Sequence, residues 1–406
     1  MRTPTSDSSE INYYSDEILF NENLREFDFP IRALTTTKNI PTSLLGNEFS
    51  DVKYLGTGSN SLVYTAKAKQ NDEMVAIKML KQKLSHRNVA EQEMNLEMQI
   101  LTKSNHPNII GIKGAGEIPR KFIVVDYLEG GTLDQLLKQQ PPQNPAFPQK
   151  LSGLPVACAL SIARDLASAL KYLHDDMHPN ATVIHRDLKP QNIGFTAERQ
   201  LKLFDFGLVS CVQKRSSSDE AYLMSGFTGT LVYMAPEVAL RQAYNEKVDV
   251  YSFGILLWQL LSGEAPFAGM GREQHMERVV HGGQRPSLSA IAHLSLPESL
   301  TRLLEQCWHT NPSQRPSCAT IVTALDALIN SNSIYINSKK NQLLSLWSQG
   351  LGLFKRGSSS KVGIAPSVDS STAAVAMCVN VYAGSAALKK NGNSSLSDRR
   401  QLISQC

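Results

Sequence analysis

From Phe49 the chain falls into short apolar runs broken by turn residues. Phe49, Val52, Tyr54 and Leu55 lead into glycines, Leu62, Val63 and Tyr64 follow, and Met74 to Ile77 come after a further turn. Such β-rich runs predict an antiparallel sheet. Over 88–103 the spacing becomes helical, with Met94, Met98 and Leu101 on one face. Beyond Asp126 that period dominates. Ala163, Leu166, Leu170 and Leu173 form the core-facing stripe of an amphipathic helix, and Val250 to Leu261 is apolar almost all round, as a buried helix is. The flanks lack such patterning. Residues 1–47, rich in Ser, Thr, Asp, Glu and Asn, read as a flexible leader, and 139–153, with four prolines, as a surface loop. The Ser, Lys, Gly and Asn clusters of 331–406 read as a largely disordered tail.

Composition narrows the class. The 406 residues, 42% hydrophobic and 19% charged, are enough for one large or two ordinary domains with a sizeable core. A net charge of +4, without a patterned Lys/Arg face, argues against a nucleic-acid partner. The cysteines form no CxxC pair or cluster with His, which suits a reducing compartment. The opening Met1-Arg2-Thr3-Pro4 has neither an apolar signal region nor a glycine after Met, and the stretch Val250–Leu261 is too short to span a bilayer. The expectation is a soluble cytoplasmic chain without a transmembrane segment, the nucleus left open.

Candidate chemistry begins at Gly56-Thr57-Gly58-Ser59-Asn60-Ser61, between two strand-like runs. Glycines let backbone N–H groups approach phosphate oxygens, although Gly-rich hairpins are common and the motif alone is weak. Lys78 ends the apolar run Val75-Ala76-Ile77. A strand-end Lys is ordinarily a surface charge, so a functional reading needs an anionic partner. Glu97 on the following helix is one candidate, with Glu91 and Glu93 as rivals. His185-Arg186-Asp187-Leu188-Lys189-Pro190-Gln191-Asn192 is far more specific. A carboxylate, a cation two residues on and a carboxamide five residues on suit phosphoryl transfer. Asp187 can orient or deprotonate a hydroxyl, Lys189 can neutralise a γ-phosphate and Asn192 can bind Mg²⁺. Asp205-Phe206-Gly207 adds a hard oxygen ligand for the metal.

In this order, and with Ala235-Pro236-Glu237 and Arg315 following, these motifs resemble the catalytic domain of the eukaryotic protein kinases. The resemblance covers roughly 49–330. Asp249-Val250-Tyr251-Ser252-Phe253-Gly254, Cys307-Trp308 and Asn311-Pro312-Ser313-Gln314-Arg315-Pro316 are most similar to the tyrosine-kinase-like group of Ser/Thr kinases. It implies a bilobal α+β fold over 48–330, with a sheet-plus-helix lobe to about 125 and a mainly α-helical lobe from 126. It also implies ATP and Mg²⁺ as cofactors and protein substrates. Asp187, Lys189, Lys78 and Glu97 would be catalytic, and Asn192 and Asp205 would hold the metal. Leu55, Gly56, Thr57, Gly58, Ser59, Asn60, Ser61, Val63, Ala76, Lys78, Val125, Asp126 and Leu128 would surround ATP, with Val125 as gatekeeper and the following residues as hinge. Leu101, Ile112, His185 and Phe206 would stack as a spine, Asp249 would brace the catalytic loop, and Glu237 would pair with Arg315. Lys189 and Gly229-Thr230 follow the Ser/Thr-directed pattern. The departures are Ser61 for a glycine, Asp126 for the commoner Glu, and Gly194 where an apolar residue commonly lies under adenine. The last implies a looser seat for the base.

The same resemblance makes Arg186 part of a pocket for an activation-loop phosphate, with Ser225 and Thr228 as candidate phosphosites. Thr230 is set aside because its hydroxyl is expected to bond Asp187 and Lys189, and Ser216 to Ser218 are read as a solvated stretch. In 339–356, Leu343, Trp347, Leu351 and Phe354 recur at helical spacing between basic ends. That pattern suits a peripheral membrane or partner helix, but Gly350 and Gly352 weaken it and a loose extension is the plainer reading. The rival function, a pseudokinase scaffold, is expected to lack Lys78, Asp187, Asn192 or Asp205, and all four are present.

Overall fold

The computed structural model describes residues 48–84, 86–117, 120–138, 154–214 and 220–331. The leader, the Pro-rich loop, Ser216 to Ser218, the tail and 339–356 lie outside the described residues.

Five strands build the first lobe: β1 (Phe49–Thr57), β2 (Ser61–Ala68), β3 (Met74–Leu80), β4 (Ile112–Gly116) and β5 (Phe122–Asp126). They pair antiparallel in the order β1-β2-β3-β5-β4. Alternation along β3 and β5 divides the side chains between two faces. Val75, Ile77, Met79, Phe122 and Val124 join a small outer cluster, whereas Leu80, Ile123 and Val125 join the main core with helix α1 (Arg87–Lys103). Lys78 shares its parity with Leu80 and so projects on the α1 side. α1 begins one residue ahead of its apolar pattern and buries Met94, Glu97, Ile100 and Leu101.

The second lobe is mainly helical. It contains α2 (Leu133–Lys138), α3 (Val156–Lys171), α4 (Lys247–Ser262), α5 (Glu298–Cys307) and α6 (318–331). Two short antiparallel pairs complete it: β6 (Ala181–Ile184) with β9 (Ser210–Gln213), and β7 (Ile193–Phe195) with β8 (Leu201–Leu203). The predicted stripe faces inward, since Ala163, Leu166, Leu170 and Leu173 are all buried. Each leucine contributes about 2 kcal/mol on burial. α4 is buried along almost its whole length and stops at Gly263, whose left-handed φ of 69° lets its N–H reach the carbonyl of Gln259.

Among the described residues, main chain joins the lobes at two places. β5 runs on into Tyr127 and Leu128, and the segment after α1 pairs with β8, where Ile110 N–H donates to Leu203 O at 3.0 Å and Leu203 N–H to Asn108 O at 2.8 Å. Among the described residues no helix is long and apolar enough to cross a membrane.

Candidate active site

Lys78 lies where the two lobes face each other. Its ammonium donates to Glu97 Oε2 and to Asp205 Oδ1, both at 2.7 Å. The β2–β3 register sets Lys78 opposite Val63, just beyond the glycine turn. Glu97 is 3% exposed. The rivals are engaged elsewhere: Glu91 pairs with Arg87 on the surface and Glu93 accepts from Asn60 at 3.1 Å. Burial alone would lower the Lys78 pKa, but Glu97 and Asp205 more than reverse this and hold it above the usual lysine value. Burial likewise pushes Asp205 up, and Lys78 outweighs it, so the carboxyl stands below its ordinary value. Glu97 is raised, its desolvation exceeding the pull of Lys78. The array thus keeps a charged Lys and an ionised Asp205 in contact.

The catalytic-loop octet folds back on itself. Lys189 Nζ donates to Asp187 Oδ2, and Asn192 Nδ2 donates to the Asp187 carbonyl at 2.9 Å and its Oδ2 at 3.1 Å. Thr230 closes the set, donating to Asp187 Oδ1 at 2.8 Å and accepting from Lys189 at 3.1 Å. Gly229 makes this approach available. Its φ is 99°, and a Cβ there would stand 2.4 Å from the Arg186 carbonyl.

Two residues of the site hold left-handed backbone without being glycine: Arg186 at φ 66° and Asp205 at φ 65°. Each costs about 1–3 kcal/mol and must be held by its surroundings. Asp249 does so for the loop, accepting from the N–H groups of His185 at 2.8 Å and Arg186 at 2.9 Å. His174, on a π-turn that follows α3, donates to the same carboxylate at 2.9 Å. Burial disfavours charge on both partners. It is outweighed at His174 by Cys318 and Asp249, and at Asp249 chiefly by His174, so the imidazole is raised and the carboxyl lowered. His185 is held below the usual histidine value by burial. Its neutral ring accepts from Asp187 N–H at Nδ1 and faces Phe206 edge-on, with centroids 5.1 Å apart. Leu101 is buried and Ile112 packs against the same core.

His174 is the participant that sequence reasoning missed. The signal was available: a histidine at the end of an apolar stripe and an aspartate opening an all-apolar helix each need a polar partner inside the core. The tethers of the glycine turn were missed too. Besides Asn60 to Glu93, Lys81 Nζ donates to Ser59 O at 2.6 Å.

Arg186 points into the segment that follows Gly207. Its guanidinium donates to Ser225 Oγ at 2.9 Å, to the Tyr244 hydroxyl at 3.1 Å and to the carbonyls of Leu208 and Val209. Thr228 Oγ1 donates to the Ser225 carbonyl at 3.2 Å. Elsewhere in the second lobe, Arg315 grips Glu237 by two hydrogen bonds of 2.5 and 3.0 Å, both side chains buried. Gly194 is closely covered, since a Cβ there would meet the Leu128 side chain at 2.5 Å and the Phe204 ring at 3.2 Å.

A lysine paired to a helix carboxylate, a hard-oxygen ligand set and an acidic loop residue facing one interlobe cleft form the layout of a nucleotide-dependent phosphotransferase. Residues 49–325 match the family described as protein kinase domain. Serine/threonine-protein kinase VIK of Arabidopsis thaliana is 34% identical over 284 residues, covering 69% of this chain and 60% of the relative. Dual specificity protein kinase shkC of Dictyostelium discoideum is 34% identical over 291 residues, covering 71% and 53%. Serine/threonine/tyrosine-protein kinase HT1 of Arabidopsis thaliana is 33% identical over 294 residues, covering 71% and 67%. The match thus spans about half to two thirds of these relatives' own length. The chain belongs to the eukaryotic protein kinase superfamily, in its tyrosine-kinase-like group.

Proposed function

We propose that this chain transfers the γ-phosphate of ATP to Ser and Thr hydroxyls of protein substrates, in cytoplasmic signalling. The observation that carries the reading is Lys78 bonded at once to Glu97 and Asp205, which sets a phosphate-binding cation beside an ionised carboxylate. The nucleotide would lie beneath the Gly56–Ser61 turn. Val63, Ala76 and Leu55, the last an apolar side chain left 54% exposed, would cover the base. Asp126 spends its side chain on Gly111 N–H at 2.8 Å and Lys113 at 3.2 Å, so the hinge has mainly backbone to offer.

The donor chemistry fits Mg²⁺. Asp205 gives only Oδ1 to Lys78, and Asn192, donating through Nδ2, keeps a carbonyl oxygen. Bound there, the ion would neutralise phosphate charge. Asp187 takes the acceptor hydroxyl and removes or orients its proton, Lys189 offsets charge on the phosphoryl oxygens, and Lys78 holds the nucleotide's inner phosphates. The Thr230 hydroxyl, lodged between Asp187 and Lys189, supports an acceptor with a short side chain. An oriented peptide library with Ser, Thr or Tyr acceptors is expected to give transfer to Ser and Thr. Labelling confined to Tyr would overturn the residue class, and no transfer at all would overturn the activity.

Ser225 is the favoured regulatory phosphosite, with Thr228 second, because the Ser225 hydroxyl already touches Arg186. A phosphate adds close to two negative charges and three acceptor oxygens, enough to tighten that contact by charge-assisted bonds. Ser225→Ala should lower transfer about tenfold and Thr228→Ala less, with mass spectrometry showing phosphate on Ser225 of active protein. Full activity of the unphosphorylated double variant would mean that the loop is ordered by its own packing.

A further inference from the structure

Gly194 is the middle residue of β7, paired with Lys202 on one side and bridged to Thr132 on the other. A methyl group built on it would stand 2.5 Å from Leu128 Cδ1 and 3.2 Å from both Phe204 Cε1 and the Gly131 carbonyl. Both side chains come from segments already assigned to the nucleotide: Leu128 from the hinge, and Phe204 from the residue before Asp205. The Phe204 backbone is fixed on both sides, its N–H donating to Asn192 O at 3.0 Å and its carbonyl accepting from His185 Nε2 at 3.4 Å. The Cα from which the ring projects is therefore held in place by the catalytic loop. The Leu128 methyl is the end of a flexible chain and yields easily.

We propose that Phe204, with Leu128 beside it, forms the floor of the nucleobase pocket, and that Gly194 is small because this ring needs its room. The inference rests on the reading of the cleft as an ATP site. Close packing makes the two positions exclusive: a branched side chain at 194 and an aromatic ring at 204 cannot share the volume. The ring then acts as a specificity determinant, since it sets how deep a purine can lie. An apolar surface beneath the purine adds binding that every atom of the floor shares.

The test measures the affinity of the full chain for Mg·ATP, by displacement of a ribose-labelled fluorescent ATP, with melting temperature followed in parallel. Gly194→Leu should weaken ATP about tenfold or more, because it forces the ring or Leu128 up into the base space, and Phe204→Ala should weaken it a few-fold. The double variant Gly194→Leu/Phe204→Ala should return to within about threefold of wild type, since the new leucine replaces the lost ring. If Gly194→Leu alone does not fold, rescue of a folded, ATP-binding chain by Phe204→Ala is the same result. An unchanged affinity in Gly194→Leu, or a double variant as weak as the product of the singles, overturns the floor assignment while leaving the ATP site standing. Wild-type protein that fails to release the probe to ATP overturns the site itself, and the floor with it.

Discussion

Asp187→Ala should reduce phosphoryl transfer by about three orders of magnitude while leaving Mg·ATP binding nearly unchanged. The split follows from geometry. Asp187 bonds Lys189 and Thr230, beside which the acceptor is proposed to sit, and Asn192, whereas the Lys78 contacts run to Glu97 and Asp205. Lys78→Met and Asp205→Asn should each abolish most turnover as well. Lys78→Met leaves Glu97 buried without its cation, and Asp205→Asn replaces an ionised carboxylate by a neutral amide. If the three groups serve one step as proposed, the double variant Asp187→Ala/Asp205→Asn should be barely slower than either single one, as single-turnover kinetics would record. Near-normal turnover of Asp205→Asn with Mg²⁺ would sink the metal assignment.

The largest loss of stability should come from Arg315→Met. Arg315 is 1% exposed and spends its donors on Glu237, on the Lys247 carbonyl at 3.1 Å and on the His309 carbonyl at 2.8 Å, while Lys247 returns a bond to Arg315 O. The substitution strands the Glu237 carboxylate in the core, which costs about 3–5 kcal/mol. For a domain of this size the melting temperature should fall by about 10 °C. Removing the stranded charge as well, in Glu237→Leu/Arg315→Met, should recover much of the loss, since an apolar pair of similar volume avoids desolvating two ions. Differential scanning calorimetry of the three proteins decides. A single variant that melts with wild type would show that the pair contributes nothing to the cohesion of this lobe.

How much of this the sequence discloses depends on whether a partner is near in the chain. The octet from His185 to Asn192 announces itself because its spacing is its geometry. The carboxylate, cation and carboxamide converge within one turn of backbone. The partner of Lys78 is not fixed in the same way. Glu93 and Glu97 lie four residues apart and so share a helix face, and only the depth at which α1 sits on the sheet gives Lys78 to one and Asn60 to the other. The filling of Gly194 cannot be read locally at all. A missing side chain looks like a missing wall until Leu128, 66 positions earlier by residue number, is seen to occupy it. His174 and Asp249 are hidden for a related reason. Apolar periodicity marks them as core positions without saying that the two polar groups meet.

The two meeting places between the lobes also determine how the molecule can move. Main chain fastens the lobes at two points, and rocking is easiest about the line through them, with side-chain bridges such as Lys78 to Asp205 adding restraint. Here that line runs from the end of β5 to the pairing of 108–110 with β8. Asp205 lies two residues beyond Leu203 and so stays close to the axle, with the strained φ of 65° on the stationary side. The glycine turn joins β1 and β2 toward the opposite edge of the sheet, two to three strand spacings from β5, or about 10–14 Å of lever arm. A few degrees of rocking therefore barely shift Asp205 but move the tip of the turn by about an ångström, so this turn is the part of the cleft that opens most.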